Sequence, residues 1–459
     1  MTDTLMVGVS GVRGIVGKDL TDEIVGRYAR AFGLWAAGRK PLVVVGRDAR
    51  ESGPAFERAV VDGLRSVGCA VVKVGLVPTP TVQLAVEHHA AGGGIAITAS
   101  HNPIEWNALK FIGPDGIFLD GADGARVQKL VGEDGGGRGR TGEVTTDDGA
   151  VERHLDAVLR LAAVAVERIR KRKLTVALDA VRGAGGPVMR ALLERLGCEV
   201  AGINLETDGR FPRSPEPVPE NLGGLSTLVT RAGAALGIAV DPDVDRLAIV
   251  DEAGTPIGED YTLAFAVRAV LGKGERGKGK GATVVCNLST SLVVEDAARE
   301  CGAEVVRTPV GEVHVSRAIL RLAAVIGGEG NGGVMYPALH AGRDAPVAAA
   351  LLLTLLARDG RRMSELVAAA PRYAIVKAKV ERGAGSREQR LERVYAELRR
   401  RFPDARADTQ DGLRLAWWDR WLHVRPSNTE PIIRLIAEAP SGAVAQELVD
   451  EGRRVCAAS

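Results

Sequence analysis

AVVDGLRSVGCAVVKVG (Ala59–Gly75), MRALLERLGCEVAGINL (Met189–Leu205) and VEDAARECGAEVVRTPV (Val294–Val310) are one pattern written three times. In each, apolar residues recur at helical spacing, a Gly/Cys pair breaks the run, and a Val-containing stretch bounded by turn residues follows. A β-rich run precedes each helix: Pro41–Gly46, Leu174–Asp179 and Thr283–Leu288. Strand–helix–strand units favour parallel strands with helices on both faces, because a parallel return needs a crossover long enough to hold a helix. Three copies predict three similar α/β domains, and 459 residues at ~150 per domain have room for them.

Beyond the third copy the order changes. From about Ala374 come an alternating apolar run (AIVKAKV), a charged helix (SREQRLERVYAELRRRF), several short strands and a closing helix near Gly442–Cys456. This reads as a smaller α+β domain. The expected units are 1–150, 151–253, 254–370 and 371–459. The mostly apolar run Ala345–Ala357 reads as a buried helix, and the glycine-rich segments Gly132–Gly142 and Gly272–Gly281 as exposed loops.

Composition closes off several function classes. Lys and Arg total 60 against 58 Asp and Glu, a formal charge of +2, which leaves no field to draw the whole protein onto nucleic acid or an anionic membrane. The basic segment GKGERGKGKG lacks interleaved aromatics for base stacking. The start, MTDTLMVGVSGVRG, has no basic region ahead of an apolar core, so no signal peptide is expected. No run approaches ~18 apolar residues, so no membrane span is expected either. The cysteines 69, 198, 286, 301 and 456 show neither zinc spacing nor a disulfide framework. They read as buried reduced thiols, and the expected location is the cytoplasm.

Four loops carry the chemistry. Thr98-Ala99-Ser100-His101-Asn102-Pro103 follows the apolar strand Gly94–Thr98 and presents a serine hydroxyl in an exposed turn. It is not a Gly-x-Ser-x-Gly elbow, which argues against an α/β-hydrolase. Asp241-Pro242-Asp243-Val244-Asp245-Arg246 sits between strands Gly237–Val240 and Leu247–Val250. Three carboxylates at alternate positions need a cation between them, and oxygen-only ligation suits Mg²⁺. An EF-hand is excluded because Arg246 stands where that loop needs glycine. The aspartyl nucleophile loop of haloacid-dehalogenase-like phosphatases usually has Thr or Val where this chain has Asp245. Gly327-Gly328-Glu329-Gly330-Asn331-Gly332-Gly333 follows an expected strand Ala323–Ile326, and its carboxylate and amide suit vicinal sugar hydroxyls. Arg425-Pro426-Ser427-Asn428-Thr429-Glu430-Pro431 has a guanidinium, two hydroxyls and closely spaced amides, a plausible phosphate cradle.

Taken together, TASHNP, DPDVDR, GEGNG and RPSNTEP resemble, in order and one per domain, the loops of the α-D-phosphohexomutase superfamily. The resemblance covers essentially the whole chain and is nearest to the phosphoglucosamine mutases. It implies three similar mixed α/β-sheet domains and a smaller C-terminal α+β domain around a central active-site cleft. By the same resemblance, Ser100 is a phosphoserine and Asp241, Asp243 and Asp245 hold one Mg²⁺ with a phosphoserine oxygen. Arg246, Lys110 and Arg13 are implied to be active-site cations, with His101 beside the nucleophile. Glu329, Asn331 and His314 are implied to face the sugar, although many relatives carry serine at the position of Asn331. Arg425, Ser427, Asn428 and Thr429 are implied to hold the phosphate that is not transferred. The implied reaction moves phosphate between the 6- and 1-positions of a hexose phosphate, glucosamine 6-phosphate foremost, through a 1,6-bisphosphate. Glucose and mannose phosphates are the nearest alternatives. The alternative of another class is a magnesium-dependent sugar-phosphate phosphatase. The expected partner is a small-molecule hexose phosphate, handled by a monomer or homodimer whose last domain hinges near Pro371–Ala374.

Overall fold

The computed structural model describes residues 5–133, 142–272, 279–381, 387–427 and 432–458. Asn428 and Thr429, and most of the two glycine-rich segments, lie outside them.

The three repeats fold alike. In each, a first strand lies between a second and a third that run parallel to it, and a fourth strand returns antiparallel on the third. In the first unit these strands are Leu42–Arg47, Ala70–Leu76, Gly93–Ile97 and Trp106–Ile112. In the second they are Thr175–Asp179, Glu199–Ile203, Leu236–Val240 and Leu247–Asp251. In the third they are Thr283–Asn287, Glu304–Thr308, Ile326–Glu329 and Gly333–Tyr336. The helices Gly53–Ser66, Gly185–Arg195 and Leu292–Glu300 cross from first strand to second in each unit. The parallel core expected from the repeats is present, and the antiparallel additions make each sheet mixed. Added strands extend the first sheet to seven members and the third to five.

This shared topology places three of the four chemical loops. Each joins the third parallel strand to its antiparallel return, so each opens at a carboxyl end of the sheet, where α/β folds gather ligands.

The fourth unit is a five-stranded antiparallel sheet in the order Ala374–Glu381, Ile432–Ala439, Trp421–Pro426, Leu413–Ala416, Arg406–Asp408. The helices Arg387–Arg401 and Gly442–Ala458 cover one face. Val394, Leu398, Val449 and Val455 pack there against Leu422, Val424, Ile433 and Leu435. Alternation along the strands turns Trp421, His423 and Arg425 to the opposite face.

The units are joined by buried polar contacts and one large core. The helix Ala345–Asp359 is apolar all round and fills a core shared by the second and third units, as its composition predicts. At its N-terminus Asp344 caps Val347 and shares hydrogen bonds with His154 Nε2 (2.8 Å) and His340 Nε2 (3.0 Å). His154 Nδ1 meets Thr81 Oγ1 at 2.8 Å, so this cluster ties all three repeats together. The fourth sheet docks on the third unit through Glu438, whose Oε2 accepts from Leu292 N (2.8 Å) and Trp421 Nε1 (2.7 Å). In the connector, Tyr373 Oη donates to Asp296 at 2.8 Å. Among the described residues no helix is long and apolar enough to cross a membrane.

Candidate active site

Ser100 lies just past the strand Gly93–Ile97, and a buried frame holds it. Thr98 Oγ1 donates to Asp48 Oδ2 at 2.6 Å and accepts from Ser100 N at 2.9 Å. The Arg50 guanidinium donates to three carbonyls of the loop, Ser100 (2.7 Å), Asn102 (2.6 Å) and Pro103 (2.7 Å), and to that of Trp106 at the start of the next strand (2.7 Å). Its Nε reaches Asp48 Oδ2 at 3.2 Å. The frame holds Ser100 at φ +50°, in the left-handed region that L side chains avoid. The sequence places this serine in an exposed turn. It is instead 6% exposed, because the metal-type loop of the second unit closes over it.

That loop also carries a left-handed residue, the β-branched Val244 at φ +62°. Its carboxylates Asp241, Asp243 and Asp245 are all buried, each offering an oxygen within 4.8 Å of the others. Ser100 Oγ donates to Asp241 Oδ2 at 2.8 Å across 141 residues of sequence. Asp241 Oδ1 accepts from the Asp245 and Arg246 amides, both at 3.2 Å. Asp243 Oδ2 accepts from Thr79 Oγ1 and from Lys110 Nζ, both at 2.7 Å. Asp245 Oδ2 accepts from Arg343 Nη2 at 2.8 Å. The Oδ1 atoms of Asp243 and Asp245 are buried with no hydrogen-bond partner. Two buried carboxylate oxygens that accept no hydrogen bond, within a buried triad, fit a small, hard cation.

The charges here depend on one another. Burial, and then the Asp245 and Asp243 carboxylates, push Asp241 well above the usual carboxylate range. Burial alone would raise Asp243 too, but the Lys110 ammonium overrides it and holds that carboxyl low. The Arg246 cation, helped by burial and Arg343, pushes His101 down to about 2, so the imidazole is neutral. Its Nδ1 lies 3.3 Å from Ser100 Oγ.

The second unit braces the metal-type loop from behind. Ala184 N donates to Pro242 O at 2.8 Å, and a Cβ on Gly183 would lie 2.5 Å from Pro242 Cα. Backbone cannot yield as a side chain would, so Gly183→Ala is expected to cost ~1–3 kcal/mol. A fall in thermal midpoint checks this; an unchanged midpoint would show that the loop has room.

Arg246 is 3.7 Å from Asp245 and 3.8 Å from Glu216. Glu329 is joined to the site through Arg343, whose Nη1 donates to it at 3.2 Å. It is the last residue of the strand Ile326–Glu329. The expected strand Ala323–Ile326 and the long loop after it are therefore corrected: the strand starts at Ile326, and only residues 330–332 turn. Asn331 caps that turn, accepting from Gly333 N at 3.2 Å. His314, expected in a loop, is an exposed residue in the first turn of the helix Glu312–Leu322, and no hydrogen bond joins it to Ser100 or the triad among the described residues. Arg425 and Pro426 end the strand Trp421–Pro426 rather than opening a loop, and Ser427 follows, with its N–H donating to Ile432 O at 2.9 Å. Arg13, half-buried on Gly11–Ile15, is made a weaker base by burial and by Arg434 of the fourth sheet, so cations of the first and fourth units converge. Arg50, Asp48, Thr79, Arg343 and Glu312, which accepts from Arg343 Nε at 2.9 Å, also build the site, and motif reading does not single them out. The one signal available was Asp-x-Arg directly after the strand Leu42–Arg47.

Residues 4–137, 152–254 and 258–373 match the phosphoglucomutase/phosphomannomutase alpha/beta/alpha domains I, II and III, and residues 375–455 match the C-terminal domain. The chain belongs to the phosphoglucomutase/phosphomannomutase family. As a member it is an enzyme, an isomerase of the phosphohexomutase class. It is 40% identical to a phosphoglucomutase/phosphomannomutase of Thermococcus kodakarensis over 97% of each chain. It is equally 40% identical to a probable phosphoglucosamine mutase of Methanopyrus kandleri, over 97% of this chain and 96% of that one. A phosphoglucomutase/phosphomannomutase family protein from Burkholderia thailandensis superimposes with a TM-score of 0.84 at 28% identity, over 99% of this chain and 98% of that one.

Proposed function

We propose that this phosphohexomutase moves phosphate between the 6- and 1-positions of a hexose phosphate through phospho-Ser100, with glucosamine 6-phosphate as the preferred substrate. The observation that carries the reading is Ser100 Oγ at 2.8 Å from Asp241, inside a buried triad with two oxygens that accept no hydrogen bond. The units 1–150, 151–253, 254–370 and 371–459 each contribute one loop to the reaction.

Phospho-Ser100 gives its phosphoryl group to the free hydroxyl of the bound hexose phosphate, and the P–O bond to the serine breaks. The 1,6-bisphosphate turns over in the cleft, and Ser100 takes the other phosphate back. Lys110 and Arg246 steer the phosphoryl oxygens. In each transfer the attacking hydroxyl gives up a proton and the departing oxygen takes one, so Ser100 leaves as the neutral hydroxyl. His101 lies beside Ser100 Oγ, but the Arg246 cation makes its imidazole too weak a base to hold that proton at neutral pH. Asp241, Asp243 and Asp245, with a phosphoserine oxygen, would hold one Mg²⁺; when bound it supplies positive charge opposite the phosphoryl group in transfer. Arg13 lies on the rim where the first and fourth units meet. Glu329, Asn331 and His314 read the sugar. Arg425, Ser427, Asn428 and Thr429 hold the phosphate that stays in place. Water must be kept from the phosphoserine, so the fourth unit closes about Pro371–Ala374.

The test is turnover of glucosamine, glucose and mannose 6-phosphates side by side with catalytic bisphosphate, after an intact-mass measurement for one bound phosphate. Preference for the glucosamine ester supports the substrate assignment. Preference for glucose or mannose phosphates would move the chain to its other named relatives. Net release of inorganic phosphate would overturn the mutase reading. Chelation is expected to lower turnover by about 100-fold or more, with Mg²⁺ restoring it. Added Mg²⁺ is also expected to raise the thermal midpoint of the stripped protein, because a cation that binds only the folded triad stabilises it.

A further inference from the structure

Two neighbouring amides of one turn donate to carboxylates from different units. Val310 N donates to Asp411 Oδ2 at 3.1 Å, and Gly311 N donates to Glu329 Oε1 at 3.1 Å. Each carboxylate also holds an arginine. Asp411 Oδ2 is 3.0 Å from Arg425 Nε, and Glu329 Oε2 accepts from Arg343 Nη1 at 3.2 Å. Arg343 continues to Asp245 at 2.8 Å. One chain of contacts therefore runs from Arg425 in the fourth unit to the carboxylate triad in the second.

The fold fixes Asp411 in this place. Gly412 sits at φ +77°, and a Cβ there would lie 2.4 Å from Val424 O and 2.9 Å from Arg425 Cα. The turn can lie on Arg425 only because residue 412 is glycine. A second strut runs alongside: His423 Nε2 meets Asp411 O at 2.7 Å, and His423 Nδ1 meets Ser289 Oγ of the third unit at 2.8 Å. The approach at Nε is an ion pair without hydrogen-bond geometry, so Asp411 holds the guanidinium by charge. The edge formed by its terminal nitrogens is the one whose spacing suits two phosphate oxygens.

We propose that Asp411 is a positioning residue of the reaction: its charge holds Arg425 in place and its carboxylate docks the fourth sheet on the Val310–Gly311 turn, so that the remote phosphate and the sugar are read in one register. The proposal rests on the reading of Arg425 as a phosphate-holding residue. Asp411→Asn is the discriminating variant. Asparagine still accepts from Val310 N but no longer carries the charge that faces Arg425.

In the full-length enzyme, Asp411→Asn is expected to raise KM for the hexose phosphate on the order of tenfold, with kcat changed by less than about threefold. Asp411→Glu is expected to recover part of the loss. In an Arg425→Lys background, Asp411→Asn is expected to change KM by less than about twofold, because residues acting through one contact are not additive. Full additivity of the two changes would overturn the role. So would a lowered thermal midpoint and kcat with KM unchanged, which is what a merely structural residue gives. Wild-type enzyme that turns over no hexose phosphate would overturn the reading of Arg425 and this role with it, an outcome distinct from additivity in a working enzyme.

Discussion

Ser100→Ala is expected to lower turnover on the order of 10⁴-fold or more while leaving the protein folded. The serine oxygen is the proposed atom that carries the phosphoryl group between the two halves of the reaction, and no other hydroxyl among the described residues donates to Asp241. The frame that shapes the loop does not depend on that oxygen. Arg50 holds the carbonyls, and Thr98 receives the Ser100 amide, so both survive the substitution. Two measurements separate chemistry from folding. The coupled mutase assay should fall to background. Intact mass after incubation with hexose 1,6-bisphosphate should show one added phosphate on the wild type and none on the variant. Wild-type turnover by Ser100→Ala would end the phosphoserine mechanism for this chain.

Arg50→Ala is expected to produce the largest loss of stability of any single change at the site, ~3–5 kcal/mol. Arg50 is 1% exposed, and its guanidinium serves four carbonyls and the buried Asp48 carboxylate. It also lies 5.0 Å over the Phe211 ring of the second unit, so one side chain braces the serine loop and the seam between two units. Burial already pushes Asp48 up, and Arg50 is the first of the groups that oppose this. Without Arg50 that carboxyl must ionise unpaired or take a proton, and the four carbonyls lose their donor. Urea unfolding followed by circular dichroism reads the loss. Arg50→Lys should recover only part of it, since an ammonium has three donors and no planar fork. A loss of less than about 1 kcal/mol would show that water can replace the guanidinium.

Much of the site was legible because its parts are local. The three repeats announced three sheets, and the first two chemical loops stood directly after apolar runs that form strands. The run Ala345–Ala357 read as a buried helix and is one. The glycine-rich loop was drawn too long for a physical reason. Glycine weakens strands in isolation, so Gly327–Gly333 read as loop. Inside this sheet the glycines are required: a Cβ on Gly328 would lie 2.2 Å from Gly333 O, and one on Gly327 would lie 2.6 Å from Val285 O. Close backbone approach is a property of the assembled sheet and leaves no mark in local propensity.

The sequence by itself determined the repeat, the order of the four loops and the residue types that bear the chemistry, because strand, helix and turn preferences act over a few neighbours. Only the tertiary structure decided which arginines are structural and which face a ligand. Arg50 and Arg343 look like ordinary surface cations in the chain, and their partners are carbonyls about 50 residues away and carboxylates as far as 98 residues away. Asp411 likewise becomes meaningful only where its turn meets Val310 and Arg425. A buried charge is set by what surrounds it in space, and that surrounding is made by segments distant in the sequence.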